Sequence, residues 1–141
     1  MTEPATLASG RWERMLAPTA LVGGLGLATL ALHLRDPHDS YSWGLCPSAA
    51  LGLSCPGCGG LRAVNDLTNL RLADAASSNL ALVVAIPILI AAILWWALGR
   101  WRGTTVELPD RIRRPAVVVA VVLVAGFTVL RNTPAGAWLA P

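Results

Sequence analysis

The chain has 141 residues, 55% of them hydrophobic and 13% charged, with a net charge of +3 at neutral pH. A soluble domain carries about 25% charged residues, so neither a soluble globular enzyme nor a disordered chain fits this composition. The basic residues, all Arg and none Lys, mostly flank apolar runs; they read as membrane-edge charges and exclude a nucleic-acid-binding patch.

Residues 1–14 form a polar N-terminal tail carrying Arg11 and Arg14. The first apolar run, 15–34, is rich in Gly and Ala, with His33 near its end. It lies far from Met1 and precedes no small-residue cleavage site, so it reads as a span and not a removable leader. Residues 35–79 form a long connection. The second run, 80–98, contains no charge; Pro87 inside it predicts a kink of the kind membrane helices tolerate. Trp95, Trp96 and Trp101 cluster at its far end as an interfacial belt. Residues 99–114 are an Arg-rich connection. The third run, 115–130, is dominated by Val. A helix needs about 20 residues to cross a hydrocarbon core of about 30 Å. The third run falls about one turn short of that, with Arg114 and Arg131 placed to snorkel from its ends. Residues 131–141 form the tail. The expected architecture is an all-α membrane protein with three transmembrane helices and lipid as its main partner.

Orientation follows from Arg in short loops. Arg11, Arg14, Arg100, Arg102, Arg111, Arg113 and Arg114 share one side; Arg35, Arg62, Arg71 and Arg131 share the other. The N-terminus and second connection are therefore expected in the cytoplasm and the first connection outside. The lack of Lys and the heavy use of Ala, Val and Arg point to a high-GC bacterium, and so to its inner membrane.

The first connection carries the chemistry. After Cys46-Pro47 come seven residues and then Cys55-Pro56-Gly57-Cys58-Gly59; the chain has no other cysteine. A two-residue gap lets both sulfurs enter one small volume, Pro56 fixes the backbone, and Gly57 and Gly59 permit a tight turn. Zinc knuckles and thiol–disulfide pairs both use such a turn. Beyond it, Leu61, Val64, Leu67 and Leu70 recur at spacings of three and predict an amphipathic helix over about 60–78, interfacial or re-entrant, with a short second piece at about 72–78. Arg62 and Asp66 stand four apart and are expected to pair on its polar face. Asp36, Asp39, Asp66 and Asp74 read as solvated charges. Ser77, Ser78 and Asn79 offer capping groups to the second span.

This order of cysteines, followed by Arg62-Ala63 and by Asn79 before an apolar run, resembles the DUF2752 family of small bacterial membrane proteins. The resemblance covers about 46–98 and implies Cys46, Cys55, Cys58, Gly59, Arg62, Ala63 and Asn79 as matched positions. The chain departs from the family pattern at Leu61, where Thr is usual, at Leu80, where Pro is usual, and at Leu70-Arg71, where Gly-Asp is common. The family is defined by sequence alone and implies no reaction.

Three roles for the cysteines stay open. A disulfide from Cys46 to Cys55 or Cys58 would close a loop of about ten residues and contribute about 2–3 kcal/mol. Three thiolates with His38, or less suitably His33, would make a zinc set. Cys55 and Cys58 could exchange disulfides, with Cys46 as a resolving thiol and Arg62 favouring a thiolate. The leading expectation is a non-enzymatic envelope protein whose cysteine loop is organised for contact with another membrane protein or a second copy of itself. A zinc or redox site is the alternative.

Overall fold

The computed structural model describes residues 10–39, 48, 51–104 and 107–139. Among these the elements are α1 (Arg11–Leu34), α2 (Gly60–Thr68), α3 (Leu72–Arg102), α4 (Asp110–Arg131) and a terminal 3-10 segment (Pro134–Leu139), with no strand. At about 1.5 Å per residue, α1, α3 and α4 are about 36, 46 and 33 Å long. All three are long and apolar enough to cross a membrane. Their large apolar side chains face outward, as at Leu27, Ile88 and Leu123. In water that surface would aggregate; in lipid it is the ordinary covering of a multi-pass membrane protein.

Two expectations about the spans change. The third run reaches spanning length because its helix begins at Asp110, where the carboxylate meets Arg113 at 2.6 Å and Arg114 at 3.9 Å. The break in the second helix falls at Asn79 (φ −161°, ψ 89°), while the backbone at Pro87 keeps helical dihedrals. Asn79 leaves the helix because its side chain has work on both sides of the break, described below.

One end of the α1–α3 pair joins the two Arg-rich segments. Arg14 Nε donates to the Arg100 carbonyl at 3.2 Å, at the carbonyl-rich end of α3, where a cation is favoured. The Arg11 guanidinium lies 4.7 Å from the Trp101 ring centre. The opposite end gathers the cysteine turn, α2, the Asn79 break and the 3-10 segment.

α2 inverts the expected amphipathic arrangement. Its buried residues are Ala63, Asn65 and Asp66, while Leu61 is exposed. Against lipid, polar groups gain by turning inward and leucines lose nothing by facing out. The Asn65 amide donates to the Leu32 carbonyl at 2.8 Å, and His33 Nδ1 lies 3.1 Å from Thr68 Oγ1, so α2 is tied to the end of α1. α2 stops at a tight turn in which the Arg71 amide donates to the Asp66 carbonyl at 2.8 Å. Leu70 at that turn has φ 61° and is 86% exposed. A left-handed conformation costs a residue with a Cβ about 1–2 kcal/mol, and the exposed side chain returns little. Leu70→Gly is therefore expected to stabilise the protein by about 0.5–1 kcal/mol once the extra backbone entropy of glycine is deducted. A higher midpoint of thermal unfolding in detergent checks it.

Candidate functional site

The cysteine turn is built from successive backbone bonds. The Cys58 amide donates to the Cys55 carbonyl at 3.1 Å, and the Gly60 amide to the Gly57 carbonyl at 2.9 Å. Gly59 then adopts φ 77° as the N-cap of α2, and the Ala63 amide donates to its carbonyl. A Cβ at Gly59 would strain that junction, which gives the expected glycine a specific task. Cys55 Sγ and Cys58 Sγ lie 3.1 Å apart, against about 2.05 Å for a disulfide bond. Cys58 is buried and Cys55 half-buried, and Ser48 Oγ lies 3.5 Å from Cys58 Sγ. Cys46 and Pro47 lie outside the described residues.

The turn is held mainly from a distance. Arg131, expected as a snorkelling end of the third span, is instead 2% exposed. Its guanidinium donates to the carbonyls of Leu139 (2.8 Å), Cys55 (3.0 Å), Cys58 (3.1 Å) and Ser78 (3.4 Å). A guanidinium carries five N–H donors in a fixed fork, so one side chain serves the cysteine turn, the α3 break and the 3-10 segment together. Asn132 adds a two-way bond to Ser54: its Oδ1 accepts from the Ser54 amide and its Nδ2 donates to the Ser54 carbonyl, both at 2.9 Å.

Asn79 clamps the same turn from α3. Its Nδ2 donates to the Pro56 carbonyl at 2.9 Å and the Cys58 carbonyl at 3.1 Å. Its Oδ1 accepts from the Leu82 amide at 2.9 Å, the N-cap geometry for the helix that resumes after the break. The expected capping role is present, and the two carbonyl bonds come in addition.

Ser78 joins a second network. Its Oγ donates to Asp66 Oδ2 at 3.1 Å. Asp66, expected as a solvated partner of Arg62, is fully buried and pairs elsewhere. Arg71 Nη2 lies 2.8 Å from Oδ1, and His38 Nε2 lies 3.5 Å from Oδ2. The Oδ1 atom is thus held by an ion pair, with no further hydrogen-bond partner among the described residues. His38 Nδ1 meets Asp36 Oδ1 at 2.7 Å, and the His38 backbone amide donates to the same oxygen at 2.9 Å. That amide bond, reinforced by the His38 ring, holds the Asp36 carboxyl below the usual carboxylate range.

The expected site residues thus divide. Cys55, Pro56, Gly57, Cys58, Gly59 and Asn79 converge on one turn. Both ring nitrogens of His38 face carboxylates, and Arg62 lines the same cleft as Asp66 while the ion pair of Asp66 is made with Arg71. Among the described residues no three His, Cys, Asp or Glu side chains converge as metal ligands. Arg131, Asn132, Asp66 and Ser78 were not anticipated as site residues.

Residues 46–93 match the DUF2752 family model, which describes a protein of unknown function. The match covers about a third of the chain, including the cysteine turn, α2 and the Asn79 break, and leaves out Arg131. No curated protein and no solved structure matches the chain.

Proposed function

We propose that this membrane protein, in which the cysteine turn, α2 and the Asn79 break form a cap at one end of the spans, presents Cys55 and Cys58 as a preorganised dithiol for thiol–disulfide exchange with a partner protein. One observation carries this: the sulfurs stand 3.1 Å apart on a turn whose carbonyls are already fixed by Arg131 and Asn79. A turn held by its backbone has little need of a sulfur staple, and a bridge from Cys55 to Cys58 would close too short a loop to stabilise much. The Arg distribution favours the outer side for this end, where partner disulfides persist.

Cys55 is the more exposed sulfur and takes the nucleophile's place. Its thiolate attacks one sulfur of a partner disulfide; that bond breaks, and the partner's other sulfur leaves as a thiolate and takes up a proton. Cys58, losing its proton to solvent, then attacks Cys55 in the mixed disulfide. A Cys55–Cys58 disulfide forms and the partner leaves as a dithiol, two electrons richer. The reverse sequence oxidises a partner dithiol.

The detergent-purified protein equilibrated in glutathione buffers of stepped potential, then alkylated and mapped by mass spectrometry, tests this. The expected result is a reversible two-electron transition confined to Cys55 and Cys58. A fixed disulfide to Cys46 at every potential, or a bound zinc that protects all three thiols, would overturn it.

A further inference from the structure

Beside the cysteine turn, an open cleft of about 400 Å³ lies among the 35–39 turn, α2 and the first turn of α3. The exchange chemistry uses none of its residues. Asp66 forms part of its wall, fully buried, with an Oδ1 that has no hydrogen-bond partner among the described residues beyond its ion pair. Arg71 balances the charge of Asp66. Two exposed charges remain, Arg62 in the first turn of α2 and Asp74 in the first turn of α3, and neither pairs with a charged group among the described residues. A cation and an anion left apart in one cleft suit a ligand that carries both charges.

Depth in the membrane narrows the class. Ser77 and Ser78 line the cleft directly before Asn79 and the charge-free run that begins at Leu80. The cleft therefore stands at the polar edge of the hydrocarbon layer. Leu61 and Leu72, 46% and 66% exposed, neighbour the cleft along the chain and offer apolar surface to acyl chains.

We propose that this cleft binds a phospholipid with an ethanolamine head group, its phosphate on the Arg62 guanidinium and its ammonium on Asp74. A carboxylate gains both opposite charge and a hydrogen bond from an N–H cation, which ethanolamine supplies and choline, having no N–H, does not. A quaternary ammonium is recognised by the faces of Trp, Tyr or Phe, and among the described residues none of these lines this cleft. A glycerol head group brings a phosphate for Arg62 and nothing cationic for Asp74.

Native mass spectrometry of the full chain, offered equal amounts of phosphatidylethanolamine, phosphatidylcholine and phosphatidylglycerol, tests the proposal. Phosphatidylethanolamine is expected to be retained about tenfold over each competitor, the scale of one charge-assisted hydrogen bond. Arg62→Gln and Asp74→Asn should each lower that retention about tenfold while leaving the cooperative unfolding transition in place, because neither side chain pairs with a charged group among the described residues and Asp74 adds only a helix-dipole contribution. Equal retention of the three lipids would overturn the proposal, as would undiminished phosphatidylethanolamine binding in both variants. So would binding of inorganic phosphate that depends on Arg62 and not on Asp74, or loss of the cooperative unfolding transition in either variant.

Discussion

Replacing Arg131 with Met is expected to destabilise the protein by about 3–5 kcal/mol, the cost of removing one side of a buried charged network. Met keeps most of the volume and the contact with Phe127, whose ring centre lies 5.0 Å from the guanidinium carbon. It donates nothing, so the carbonyls of Leu139, Cys55, Cys58 and Ser78 lose their shared donor. Each buried carbonyl left unpaired costs about 1–3 kcal/mol before relaxation and water entry recover part of it. Arg131→Lys restores a charge but not the fork, and its ammonium is a point donor. It should fall between wild type and Met. Thermal unfolding in detergent ranks the three, and faster alkylation of Cys58 should accompany the loss, since Cys58 is buried only while the turn is held.

Asn79→Ala is the second large effect, at about 2–4 kcal/mol. It removes the N-cap bond to the Leu82 amide, worth about 1 kcal/mol, and the donors to Pro56 and Cys58. Asn79→Asp separates these contributions. The carboxylate can still cap Leu82, yet it presents oxygen to two carbonyls where the amide presented N–H. If capping were its whole role, Asp would match Asn in an unfolding measurement. The structure predicts that Asp is at least as destabilising as Ala, because repulsion at the turn exceeds the retained cap.

The three spans were legible in sequence because a run of apolar residues without charge has one economical place, and length decides whether it crosses. The cysteine turn was legible for a similar reason: Pro56 fixes its own φ, and Gly59 admits the left-handed conformation that the turn needs. Asn79 was legible as a cap because capping is local. Arg131 was misplaced because an Arg at the end of an apolar run fits snorkelling equally well. Only the fold brings it to Cys55, 76 positions away in the chain. Asp66 was misplaced because spacing by four offers Arg62 as a partner, whereas the turn at Leu70 brings Arg71 back over the carboxylate. The polar face of α2 turned inward because the surrounding medium reverses the usual sorting, and residue spacing alone does not say which face is buried.

The cap has a simple logic. The break at Ser78–Asn79 is where two networks meet: one side chain reaches Asp66 and the next reaches the cysteine turn, while Arg131 spans the gap. Backbone groups at membrane depth need partners within the protein, and here polar side chains supply them. The backbone of the cysteine turn is thus held by side chains from α3 and the end of α4.

Thermal unfolding of the Cys55→Ser/Cys58→Ser double variant beside Arg131→Met, in the same detergent and without reductant, tests this division of labour. If the backbone clamps hold the cap, the double variant should unfold within about 2 kcal/mol of wild type, about 1 kcal/mol for each ordinary substitution. Arg131→Met should unfold far earlier. A double variant as unstable as Arg131→Met would contradict that division and make the sulfurs the structural tie.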